Sequence, residues 1–211
     1  MKQPKAKGQI NDTVSMRDFT LVKTDTYALS LHELLCLKTF SKTFEIINPV
    51  ELNKAITEWA EREIIAEKAS DTLLILASLN LDPIPDRFEV EKYLLLYQQE
   101  QGIQNPSAEQ SALVWLRVQL GQLIAASNAC EIESKLAFFT HYFLDYPPRA
   151  FACISRSISN FYWELYDEAI PVFNSRASEM SEEALLIHVQ ERITPYYRLL
   201  NHPDWLWILA R

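Results

Sequence analysis

Apolar residues recur along this chain at three- and four-residue intervals, and prolines separate the runs. Leu52, Ile56, Trp59 and Ile64 form one stripe, with Glu58, Glu61, Arg62 and Glu63 on the wet side. Leu113, Leu116, Leu120, Leu123 and Ile124 form a second, and Leu186, Val189, Ile193 and Tyr197 a third. That spacing belongs to amphipathic helices. Cap signals set their ends. Asn48, Pro49 and Glu51 read as N-cap, first helical residue and capping-box acid, with Ile47 and Leu52 as a hydrophobic staple. Ser70-Asp71 opens a short apolar segment through Leu79, read as an internal helix packed on several sides. Asp86 with Glu89, and Ser107 with Gln110, make further cap pairs; Gly102 is placed to end the helix between them. Ser181 opens a last long helix, with Glu182 and Glu183 in its first turn and Pro195 expected to bend it.

The stretch Cys130 to Ile154 reads as the organiser of the chain. Ile132, Leu136, Phe139 and Phe143 give one continuous apolar flank, and the helix must stop at Asp145-Tyr146-Pro147-Pro148, where two residues lack backbone donors. Phe151 and Ile154 then give the next short helix a face to bury. Leu29 to Phe40 reads as another helix, Asp18 to Lys23 as a short strand, and residues 1–12 as a loose polar arm. The tail NHPDWLWILAR is apolar enough to dock. About eight segments with short connections predict an all-α fold: a compact array of mostly antiparallel helices forming a single domain over residues 1–211.

Composition narrows the function classes. The three glycines leave little room for tight hairpins or a phosphate loop. The net charge is −8, unevenly spread: residues 1–50 carry +2 and the rest −10. Such a surface repels nucleic acid and attracts basic protein. No apolar run approaches a membrane span, and the N-terminus lacks the apolar core of a secretory signal. Cys36, Cys130 and Cys153 read as small buried hydrophobes, and the expected compartment is the cytoplasm.

Chemistry is thin. His32 and Cys36 stand four apart on a helix, but two residues do not make a metal site, so no metal and no cofactor is expected. His141, between Phe139 and Phe143, is the place to look for an inter-helix pocket serving an enzyme or a small-molecule sensor. No zinc-hydrolase or nucleophile-elbow motif is present, and no catalytic residue is assigned. The segment FYWELYDEAI is dense in aromatics and acids. Trp163, Glu164, Tyr166, Asp167 and Glu168 therefore read as a partner-binding surface, since aromatics anchor interfaces and charges steer encounter. The bland alternative makes the aromatics core and the acids the wet side of one helix.

The pieces WLRVQLGQLI (115–124) and ESKLAFFTHYFLDYPPRAFACI (133–154) resemble a bacterial domain family of unknown function. The matching positions are Trp115, Leu116, Asp145, Tyr146 and Pro147, with Pro148-Arg149 replacing an acidic continuation. The resemblance implies a small helical cytosolic protein and a link to the immunity proteins of bacterial toxin systems. It carries over no catalytic residue. The expected function is a non-enzymatic immunity protein that binds a basic toxin, such as a nuclease; the oligomeric state stays open.

Overall fold

Ala108–Ile124 cannot present a single wet face, because apolar residues sit on all its sides. Such a helix is stable only when surrounded. The computed structural model, which describes residues 29–44, 48–67, 70–141, 146–167 and 176–211, places it at the centre of an all-α fold. Every residue from Ser111 to Leu120 is buried. Among the described residues the helices are α1 (Leu31–Phe44), α2 (Pro49–Ile65), α3 (Asp71–Ser78), α4 (Arg87–Gln101), α5 (Ala108–Ile124), α6 (Ala129–His141), α7 (Arg149–Tyr166), α8 (Glu182–Asn201) and α9 (Pro203–Leu209). Helices α1, α6, α7, α8 and α9 pack around α5. Helices α2, α3 and α4 form a second group that joins the first through α1.

Trp115 is the anchor of the central helix. Its ring lies 5.0 Å from Phe40 of α1, 5.8 and 6.2 Å from Phe138 and Phe139 of α6, and 6.1 Å from Phe151 of α7. Tyr146, just before the two prolines, turns edge-on to both Phe40 and Phe151. The α6–α7 connection is thus tied into the same aromatic cluster. The central place belongs to α5, however, and not to the Cys130–Ile154 stretch that the sequence puts forward.

Most helix ends lie where the caps put them. Asn48 accepts from the Val50 N–H, Ser70 from Leu73, Asp86 from Phe88 and Glu89, and Ser181 from Ala184. Ser107 and Gln110 form a reciprocal capping box, and Gly102 ends α4 in the left-handed conformation at φ +64. Helix α1 starts two residues later than expected, because Ser30 and Glu33 cap it: the Glu33 carboxylate accepts from both the backbone and the hydroxyl of Ser30. Across the fold, Glu182 of α8 accepts at 3.0 Å from the Ala129 N–H, the first residue of α6.

Other expectations change. Helix α7 is one 18-residue element and absorbs the aromatic segment, because Phe151, Ile154, Ile158, Phe161 and Leu165 form an unbroken buried line. In α8 the buried line is Leu185, Val189, Ile193 and Leu200, leaving Leu186 and Tyr197 half-buried. Helix α3 is not packed all round, since Leu74 and Ile75 are exposed where no helix covers them. The tail docks through Leu206, Leu209 and Ala210, whereas Trp205, Trp207 and Ile208 face outward. Cys36 is buried as expected, but Cys130 and Cys153 are exposed. The arm, the Asp18–Lys23 strand, Ile47, Phe143 and Asp145 lie outside the described residues.

One charge pair crosses the core. Arg117 of α5 meets Glu33 of α1 in a salt bridge with both side chains nearly buried. A change of Arg117→Met is expected to cost about 3 kcal/mol, since a nearly buried carboxylate then loses its guanidinium and keeps the Ser30 donors. Gly121 reflects a different constraint, because a Cβ there would lie 3.2 Å from Cε2 of Tyr197 on α8. Gly121→Val is therefore expected to lower stability by about 1–3 kcal/mol through overpacking. Urea unfolding of the variants measures both.

Candidate functional site

The buried line of α7 dictates where its remaining side chains point. With Phe161 and Leu165 turned into the core, Tyr162, Trp163 and Tyr166 fall along the margin of the helix. Tyr162 and Tyr166, one turn apart, stack with centroids 5.0 Å apart, and Trp163 meets Tyr162 edge-on at 5.1 Å. Trp163 is 44% exposed and is the most open of the three. The Asp167 N–H donates to the Trp163 carbonyl at 2.9 Å and closes the helix, with the Asp167 side chain half-buried. Glu168 lies outside the described residues.

Neighbouring helices complete the patch. Glu164 is not a bare acid: Arg192 of α8 approaches it to 3.8 Å and also lies over the Phe161 ring. His188 packs against Phe161 at 5.5 Å, and Ser157 shares a 2.7 Å hydrogen bond with the Tyr196 hydroxyl, so α8 side chains hold α7 along its length. On the other side Glu133 of α6 faces the tyrosines. Burial, then the Glu133 carboxylate, the Tyr162 hydroxyl and the Cys130 thiol, push the Tyr166 phenol up to about 12. Burial and Glu133 raise Tyr162 in the same direction. The Tyr166 hydroxyl is buried and has no hydrogen-bond partner among the described residues.

A phenol with so high a pKa stays protonated near neutral pH and is no base. The arrangement is suited to binding through its open aromatic, Trp163, and the exposed Glu133 carboxylate; the buried Tyr166 hydroxyl lies behind them. Of the residues singled out from sequence, Trp163, Glu164, Tyr166 and Asp167 come together at the end of α7. Phe161 follows the bland alternative and is core. Sequence reasoning missed Tyr162, Glu133 and Arg192. The Tyr162–Tyr166 spacing was available as an i, i+4 signal, whereas Glu133 and Arg192 enter only through packing.

The other candidates carry less. Cys36 Sγ and His32 Nε2 are 3.6 Å apart, and among the described residues no group of three His, Cys, Asp or Glu is arranged to hold a metal. Burial is the main reason that the Cys36 thiol is pushed up to about 12. His141 is the last residue of α6, with its side chain outside the description. No described helix is long and apolar enough to cross a membrane. In comparisons with known proteins, no family model, curated protein or solved structure matches the chain.

Two measurements check these environments. In the native protein, a thiol reagent at mildly alkaline pH is expected to modify Cys130 and Cys153 and to reach Cys36 only on unfolding. Tyr166 has its folded pKa raised above the ordinary 10.0. Its contribution to stability is therefore complete below that value and is lost as pH climbs toward about 12, because the unfolded chain releases the proton first. Tyr166→Phe should flatten the alkaline fall in stability seen by denaturant unfolding.

Proposed function

We propose that this protein is a non-enzymatic, protein-binding helical module that acts as an immunity protein against a basic bacterial toxin. The observation that carries the reading is the aromatic end of α7. Trp163 stands open beside Tyr162, which the Glu133 carboxylate faces from α6. Open aromatics held by stacked neighbours serve as interface anchors, because little side-chain freedom is lost when a partner covers them. The net charge of −8 supports a basic partner, whose approach it would accelerate. A nuclease toxin fits that description, since it must hold phosphate.

Co-expression with the basic protein encoded beside this one tests the reading. Survival is expected with the native chain, and Trp163→Ala should weaken the purified complex by at least about tenfold, or roughly 1.4 kcal/mol. Equal killing in cells with and without the native chain defeats it.

A further inference from the structure

The connection between α3 and α4 leaves three large apolar side chains in water within eight residues. Leu81 is 88% exposed, Ile84 70% and Phe88 81%. Single exposed apolar residues are commonplace, but a clustered group marks an interaction surface. The backbone beneath them is held firmly. A 3-10 turn, Leu79–Leu81, leads into it. Lys54 of α2 donates to the carbonyls of Asn80 (2.9 Å) and Asp82 (3.4 Å). The Asn80 side chain accepts from Thr57 and donates to Glu61. Pro83 and the buried Pro85 restrict the turn, and Asp86 caps α4 through two backbone N–H groups at 2.9 Å each.

A tied backbone with open apolar side chains is a preorganised surface, since binding to it orders little of this chain. The charges around it identify the occupant. Among the described residues, Glu61, Asp82, Asp86 and Glu89 are exposed carboxylates, set against three cations, Arg87, Lys92 and Lys54, the last turned onto carbonyl oxygens. A second copy of the chain would bring the same carboxylates against these. We propose that the Leu81–Ile84–Phe88 shoulder docks a basic amphipathic segment of a protein partner, its apolar side chains on the three exposed residues and its Lys or Arg residues against the acidic rim. This inference goes beyond the α7 reading, because the shoulder belongs to other helices and is tested by other variants.

Fluorescence anisotropy with the full chain and a labelled Leu/Lys amphipathic helical peptide is the test, with a scrambled peptide of equal charge as control. Leu81→Ser/Phe88→Ser is expected to weaken the amphipathic peptide by about tenfold or more while leaving the scrambled one unchanged. Trp163→Ala should have no effect. Matching far-ultraviolet circular dichroism and urea midpoints establish that the double variant is folded. Should it fold poorly, slowed hydrogen exchange at residues 81–89 of the native chain on peptide binding supports the same conclusion, and unchanged exchange there overturns it. Undiminished binding by a folded double variant, or loss of binding with Trp163→Ala, overturns the proposal. So does sedimentation of the native chain as a dimer that the double variant abolishes.

Discussion

The fold depends on the burial of α5 on every side. A helix with no wet face requires a complete ring of neighbours, and α1, α6, α7, α8 and α9 supply it. Trp115 makes the requirement specific, because four phenylalanines from three helices must converge on one indole. Several polar side chains of α5 find partners within this ring. Arg117 is matched by Glu33, and Gln122 accepts from Lys135, while the Ser111 hydroxyl donates to the Ser107 carbonyl at the start of the same helix. The first two contacts fix the rotation of α5 against α1 and α6, which apolar packing alone would leave loose.

From that centre outward, function moves to the margins. Helix α7 commits five residues to the core and thereby turns Tyr162, Trp163 and Tyr166 to its edge. The second group, α2 to α4, is anchored by the edge-on pair of Trp59 and Tyr97, and it presents its apolar connection away from the centre. The two faces differ in kind: one offers aromatic rings beside an acid, the other aliphatic and phenyl groups on a pinned turn.

Helix starts were legible in the sequence, because a cap is a local hydrogen bond between residues two or three apart. Asn48, Ser70, Asp86, Ser107 and Ser181 all act as N-caps, and the reciprocal capping box forms at Ser107–Gln110. The Ser30–Glu33 pair has the same pattern and was readable in principle. Which helix is central was not legible, since Ala112, Val114 and Val118 look like ordinary helix formers until neighbours close over them. Side-chain partners from distant helices escape for the same reason. Glu164 reads as a free acid in isolation, and only packing brings Arg192 to it. The exposed Leu81, Ile84 and Phe88 were hidden by a general rule that sends such residues inward.

The bond from Glu182 to the Ala129 N–H has a kinetic consequence. The first turn of α8 supplies an acceptor for the start of α6, so opening of either helix end releases a tie to the other. Departure of α8 would also uncover the Gly121 side of α5, where Tyr197 lies. Exchange of the Ala129 amide proton is therefore coupled to opening of the first turn of α8.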